Sequence, residues 1–525
     1  MPRTHRLVAP LLLIAVGLLP PRVQAGWNDD LAAIDAQIRA VPGTTYQQGN
    51  AVNVLPGVTT AVLEQKRLIL VDAGFTWFAP ATTIGAYDYA NFFSFTGQAG
   101  QTDTQLRIVE TTGPTLLYRR GYPNEPARRL GAWWADTYLS TDATRDELAV
   151  LAAWGNPLTG IYVVSVPAGT RLVTGLTSPM QAGAESRAGG AAQYWLNTRD
   201  NNWLVHALYA PDYLGSYVLA VAGARKLDRD ALAGLGAQLR DLATRDDHEN
   251  AAGGDRFDCW LRTAASDTDY HPVLGYTVTA RSHNVMLGGG LTVAGTTSTA
   301  RLQAGLMFGR ATLRQRDGTS GLDGHIDSNL GGVYAIYRRP STERLPWYVG
   351  GAVVYGRLWF DNSVPGYLGH GLEQRYRGHT TSASLEAGVP LALGRGWTVT
   401  PHLQLAADRV AHGSFRDALA ADVALAQGHA FWTSMDTQIA KTLLRANGRQ
   451  LILWVSGGAV HEFSSGNKIE VAGEAATGRK IKDVYPIDTG LRFTWAGRYS
   501  LQGSFGRVCG DERGYRGSVS LNVGW

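Results

Sequence analysis

Arg119, Trp133, Trp134, Ser140, Thr141, Gly189, Gly190 and Gln193 fall within one stretch, Leu116–Trp195. It runs through "LLYRRG", "GAWWADTYLST", "IYVVSVPAGT" and "GGAAQYW". A guanidinium fork suits a phosphate, and glycines let a ligand approach the backbone closely. Indole rings can stack on a flat ring. Nucleophilic chemistry has little to work with here. Residues 26–226 contain no cysteine, no Gly-x-Ser-x-Gly elbow and one histidine, His206, so a histidine-based triad has a single base to draw on. No cluster with metal-ligand spacing is present in the sequence of that segment.

The same stretch is faintly similar to the ADP-ribosyltransferase-like toxins and NAD glycohydrolases. The resemblance implies that Arg119 holds a phosphate or ribose of NAD. It places Ser140 and Thr141 on a bracing strand and Gln193, after Gly189-Gly190, on the ribose. Trp133 and Trp134 would then stack the nicotinamide or adenine, and Gly190 would lie against the cofactor. NAD is the substrate this reading calls for. The late Glu-x-Glu of the transferases is missing, and Glu185 is out of register with it. That departure favours glycohydrolase chemistry or loss of activity. A different class of reading is a non-enzymatic adhesin domain.

These residues belong to a segment, 26–226, of mixed pattern without a 20–25-residue repeat, which argues against a long β-helix. Helix-like spacing at Trp27–Val41, and again at Asp146–Trp154, alternates with strand-like runs at Thr59–Asp72, Thr115–Arg120, Ile161–Pro167 and Asp212–Ala222. A compact α+β domain is expected.

What precedes this segment reads as an address. Arg3, His5 and Arg6 make a basic start, Leu7–Leu19 an apolar run, and Val23-Gln24-Ala25 a small-x-small site. Cleavage after Ala25 is the expectation, giving a signal peptide over 1–25 that engages the Sec translocon. A membrane anchor is the alternative, but the apolar run is short for a bilayer.

The remainder, 251–525, alternates with period two. Tyr515, Val519, Leu521, Val523 and Trp525 share one parity, and Arg516, Ser518, Ser520, Asn522 and Gly524 take the other. Tyr485, Ile487, Leu491, Phe493 and Trp495 repeat the pattern opposite Asp488 and Arg492. About twelve such runs begin near Arg256, Arg281, Thr299, Ser328, Leu345, Thr381, Trp397, Phe431, Leu451, Asp483, Tyr499 and Gly514. Short connections, such as Ala446–Gln450, alternate with long ones, Ser266–Ala280, Thr312–Asp327, Asp361–Thr380, Ala411–Ala430 and Ser464–Lys482, as expected of a barrel with turns on one membrane side and loops on the other. With 63 Gly, 15 Trp, 22 Tyr and 18% charged residues, a transmembrane β-barrel of about twelve antiparallel strands is expected. An even strand number closes the sheet on itself, which lipid demands of every backbone polar group. A net charge of +4 without a basic run gives nucleic acid no footprint.

Between the two regions, Leu227, Leu232, Leu235, Leu239 and Leu242 recur at helical spacing. A helix within 227–250 is expected, seated in the pore. Cys259 and Cys509 would lie at opposite rims of the barrel and stay free, since a disulfide needs Cα atoms within about 7 Å.

Signal peptide, N-terminal domain, helix and aromatic-ended barrel together resemble an autotransporter (type V secretion). The matching stretches are "AAGGDRFDCW", "WYVGGAVVYGRLWF", "SLEAGVPLALGRGW" and "GYRGSVSLNVGW". The resemblance implies insertion into outer-membrane lipid by the barrel-assembly machinery, with Trp525 standing where Phe is commoner. It also implies a passenger at the cell surface or released from it, facing a host-cell target. Asn250 sits where some relatives are cut inside the barrel, but their Asn-Asn pair is missing, so a passenger that is retained or cut by another protease is expected.

Overall fold

The computed structural model describes residues 24–39, 48–49, 52–53, 60–75, 107–123, 133–177, 180–182, 184–197, 200–244, 256–273, 275–294, 300–339, 346–465, 467–496 and 498–525. Residues 1–23 of the expected leader and Asn250 lie outside them.

Twelve long strands form the C-terminal wall: β8 (Arg256–Tyr270), β9 (Val278–Ala294), β10 (Arg301–Asp317), β11 (Asp323–Arg339), β12 (Trp347–Val364), β13 (Leu372–Gly388), β14 (Trp397–Ala411), β15 (His429–Ala446), β16 (Arg449–Ser465), β17 (Asp483–Trp495), β18 (Tyr499–Gly510) and β19 (Glu512–Gly524). Each pairs antiparallel with the next, and β19 pairs with β8 from Asp258↔Gly524 to Tyr270↔Glu512, which closes the barrel. Closure leaves no open edge for lipid to meet. Outward positions carry exposed apolar side chains such as Leu287, Phe308, Val333, Leu385, Ile487 and Leu521, while inward Asn284, Gln315, Ser382, Gln404 and Asn522 are buried and polar. This is the inverse of a soluble core and follows from having lipid outside. Cys259 and Cys509 are both free.

The expected alternation of short and long connections does not run the length of the wall. Connections on one side of the wall span 271–277, 318–322, 365–371, 412–428, 466–482 and the single residue Asp511, and on the other 295–300, 340–346, 389–396, 447–448 and 496–498. Long and short are sorted only in the last two pairs. The expected loops Ser266–Ala280, Thr312–Asp327 and Asp361–Thr380 are mostly strand. Their outward residues turn charged, with Arg281–Asp267, Arg310–Asp327 and Arg375–Asp361 ion pairs, so the apolar alternation stops while the hydrogen-bonded ladder goes on. The tightest turn on the short side is Asn447–Gly448, with φ of 50° and 69°, the left-handed pair that a two-residue hairpin favours.

The N-terminal region is α+β. Helices α1 (Gln24–Arg39) and α2 (Thr60–Asp72) precede two sheets. One orders β1 (Arg107–Glu110), β5 (Arg171–Leu176), β6 (Ala192–Trp195) and β3 (Trp133–Trp134); the other orders β7 (Leu204–Tyr209), β4 (Gly160–Val166) and β2 (Thr115–Gly121). A Tyr118↔Ala135 bridge joins them. The run Thr59–Asp72, expected as strand, is helix α2. Its buried Lys66, Leu70 and Ala73 follow a helical period. The expected helix Asp146–Trp154 is displaced, being α3 (Thr141–Glu147) followed by a single 3-10 turn at Ala152–Trp154.

Helix α4, Ala210–Ala243, is the link between the two regions. It starts seventeen residues before Leu227 and takes in Asp212–Ala222, expected as strand. Tyr213, Tyr217, Val218 and Val221 favour strand as types, but this segment is buried on every side. Packing around a helix that is buried all round overrides the preference. At 1.5 Å per residue it is about 50 Å long, more than a membrane's hydrocarbon thickness of about 30 Å.

Candidate functional site: the occupied lumen and the outer mouth

The C-terminal two thirds of α4 fill the barrel. Gly236 lets the helix approach the wall closely: a Cβ there would stand 2.8 Å from Glu386 Oε2. Leu232, Leu235 and Leu239 share one buried apolar cluster with Met286, Met307 and Ile336. The polar groups of the helix are met by the wall. Arg225 donates to Asn467 at 2.9 Å and to Asp408 at 3.2 Å, and also pairs with Glu462. Glu512 accepts from both Lys226 and Arg229. Asp230 accepts from Ser282 at 2.7 Å and Ser266 at 3.1 Å. Near the helix end, Asp241 accepts from Arg492 at 2.7 Å and Asn522 at 3.1 Å. Removing one partner of such a buried pair strands the other charge, which costs about 3–5 kcal/mol. The helix therefore has one seat. Beside it remains a cavity of about 160 Å³ whose lining includes the charged Arg262, Asp436, Asp488 and Arg516.

At the mouth from which α4 emerges, the two long connections fold onto each other. Phe415–Arg416, Asp422–Gln427, Lys468–Val471 and Glu474–Thr477 make a four-stranded sheet. It presents two carboxylates to the N-terminal domain and the head of α4. Asp417 accepts from the Tyr217 hydroxyl at 2.7 Å and also from that of Tyr213. Glu474 accepts from Arg120 at 2.7 Å and from the Thr141 hydroxyl at 3.2 Å. Arg120 is itself fully engaged, donating to the carbonyls of Leu139 and Leu158, to Thr141 and to Tyr138. A third contact is backbone. The Ala207 amide donates to His370 O at 3.0 Å, Leu208 bridges Gly366, and His206 Nδ1 donates to Gly371 O at 2.7 Å. Burial holds the His206 imidazole below its ordinary value.

The residues expected to use NAD are spread over both sheets and the start of α3. Arg119 lies on β2, half-buried, on the three-stranded sheet. Gln193 lies on β6 in the other sheet, buried, with the Thr177 hydroxyl at its amide oxygen. Ser140 caps α3, its hydroxyl accepting from the Ala143 amide at 3.1 Å, and Thr141 faces Glu474. Both sit at a helix start where a strand was expected. Trp133 packs edge-on against Trp195 at 4.5 Å, whereas Trp134 is 1% exposed in a separate cluster with Leu117 and Tyr162. Adjacent strand residues face opposite ways, so the two indoles do not share a ring-binding face. The Gly190 amide donates to Thr177 O, and Glu185 accepts from Ala152 and Ala153 at the 3-10 turn. The residue that the spacing missed is Arg120. Its only signal is its parity with Tyr118, which puts both on the face toward α4.

Comparison with known proteins bears on the barrel. Residues 260–506 match the profile of the family described as "Autotransporter beta-domain". The pertactin autotransporter of Bordetella bronchiseptica is 31% identical over 152 residues, 29% of this chain and 16% of that protein. The adhesin BmaC autotransporter of Brucella suis biovar 1 is 28% identical over 178 residues, 32% of this chain and 5% of that protein. The chain thus spans a small part of the length of these relatives. Among solved structures, the β-domain of the Bordetella autotransporter BrkA aligns with 51% of this chain and 98% of its own at 16% identity and TM-score 0.42. The transport unit of AIDA-I from Escherichia coli aligns with 60% and 98% at 16% identity and TM-score 0.43.

Proposed function

We propose, from the premise that the C-terminal barrel of this chain is an autotransporter β-domain of the outer membrane, that it carries the N-terminal domain across and keeps it displayed on the barrel's outer mouth. The observation that supports this is α4. One unbroken helix begins against Tyr138 and Leu208 of the domain and ends inside the lumen, so the chain that crossed is still in the path it took. Sec export, cleavage after Ala25 and insertion by barrel-assembly machinery belong to the same proposal.

The displayed domain acts as a binding module toward a host-cell target rather than as an NAD-consuming enzyme. Favouring this, Ser140, Trp134, Gln193 and the Gly190 amide are each taken up by capping, core packing or sheet closure. The name of the Brucella suis relative, an adhesin, is in keeping with it. Protease treatment of intact cells tests the display. Digestion of the domain while the barrel stays whole is the expected result, and a domain protected until the outer membrane is opened would overturn it. Incubating the purified full chain with NAD tests the second part, with no nicotinamide released.

A further inference from the structure

On the outer half of β9–β13, the lipid-facing wall carries more cationic groups than its own carboxylates balance. Side chains directly opposite on neighbouring strands lie about 4.5–5.5 Å apart at Cβ, and like charges so placed repel. Arg281 stands opposite Arg314. Closer to the apolar belt, Arg357 stands opposite His379, with Arg377 on the diagonal, opposite Trp359. Arg281 has a partner in Asp267. Among the described residues, Arg314, Arg357 and Arg377 make no ion pair, although Arg310 and Arg375 on the same strands do. A wall that pairs some of its arginines and sets others against each other is built for an anion that the protein does not supply.

Position identifies that anion. On β12 the outward residue next to Arg357 toward the membrane is exposed Tyr355, whereas on β10 Thr312 and Arg310 separate Arg314 from exposed Phe308, so Arg357 stands just above the hydrocarbon boundary and Arg377 and Arg314 stand farther out. They are on the side of the N-terminal domain, the outer leaflet in the orientation proposed above. A soluble partner would have to displace lipid to reach them. A lipid whose headgroup bears phosphate would lay its acyl chains along the apolar strands and bring its phosphate first to Arg357, with Arg377 and Arg314 beyond it. Guanidinium matches phosphate with two parallel hydrogen bonds.

We infer that the outer face of β9–β13 is a binding site for a lipid of the outer leaflet whose headgroup carries phosphate, with Arg314, Arg357 and Arg377 as its phosphate ligands. This rests on the proposed orientation for the identity of the leaflet, but the binding itself is measured without cells, so the two fail separately.

The test uses the purified full chain in a neutral detergent, with lipid A carrying its phosphates and the same lipid A dephosphorylated as probes. Wild type is expected to bind the phosphorylated form more tightly, by a margin that shrinks as salt is raised. The triple variant Arg314→Gln, Arg357→Gln, Arg377→Gln is expected to lose roughly tenfold or more in affinity for it. A control, Arg507→Gln on β18 with Arg513→Gln at the start of β19, should bind as wild type. Heat-modifiable gel mobility checks that each barrel is folded. If the triple variant does not fold, the wild-type comparison of the two lipids and its salt dependence still decide. Equal affinity of wild type for the two lipids, or of the folded triple variant and wild type for the phosphorylated one, would overturn the assignment.

Discussion

Arg120 and Glu474, 354 positions apart in the chain, meet in a 2.7 Å ion pair that fastens the N-terminal domain to a hairpin of the barrel's mouth. The arginine side chain is 3% exposed and the carboxylate 23%, so water screens this contact little. Replacing Glu474 by Ala leaves the guanidinium buried against Tyr138 without its counter-charge. Limited trypsin digestion of the full chain should then cut between residues 196 and 210 faster than in wild type. A double-mutant cycle with Arg120→Ala should return a coupling of about 1.5–3 kcal/mol, as for other hydrogen bonds to charged groups. Coupling near zero would mean that the domain is not held there.

The backbone contact at His206 makes this attachment sensitive to acid. The imidazole titrates near 6.5 in the unfolded chain and below that when folded, chiefly through burial, with His370 adding to the effect and Asp417 and the Gly371 carbonyl opposing it. As pH falls through about 6.5 the unfolded chain therefore takes up a proton that the folded one does not. Stability rises with pH wherever the unfolded state binds more protons, so this contribution is whole above about 6.5 and is lost below it. Protease resistance of the domain should fall between pH 7 and 5, and His206→Gln should flatten that profile.

Seating of α4 is the next point open to test. Gly236→Leu forces a side chain into the space held by Glu386 and Gln404, and overpacking of this kind costs about 1–3 kcal/mol or displaces the element. In planar bilayers the variant should conduct more than wild type, whose lumen the helix fills. Unchanged conductance would mean that the helix does not limit the pore.

Trp134 separates a structural role from a catalytic one. Trp134→Ala empties a core shared with Leu117, Tyr162 and Val164 and should destabilise the domain by about 3–5 kcal/mol. Arg119→Ala, on a half-buried strand position, should leave its melting temperature much closer to wild type. On the binding-module reading proposed above, neither variant differs from wild type in nicotinamide release from NAD.

How much of this was legible in the residues depended on what surrounds each segment. Where lipid lies on one side and a polar lumen on the other, period two is forced on the sequence, and the alternation at Tyr485–Trp495 and Tyr515–Trp525 gave both the strands and their faces. The outer ends of β9–β13 were missed because, past the hydrocarbon, the outward residues answer to water and headgroups: Arg314 and Arg375 look like loop although their backbones stay in the ladder. The first half of α4 was missed for a related reason. A helix buried on every side has no amphipathic stripe to read, and Tyr217, Val218 and Val221 suggested a strand. In the N-terminal domain the tryptophans and Gln193 drew attention as types, while the contact that matters there, Arg120 to Glu474, joins segments whose proximity no local spacing encodes.

The most direct test of the whole arrangement labels single cysteines in whole cells, with Cys259 and Cys509 replaced by Ser. Trp154→Cys, exposed on the N-terminal domain, should react with a membrane-impermeant maleimide on intact cells. Arg498→Cys, in the turn between β17 and β18, should react only after the outer membrane is permeabilised. The reverse pattern, or both positions protected until permeabilisation, would contradict a domain carried to the surface by this barrel.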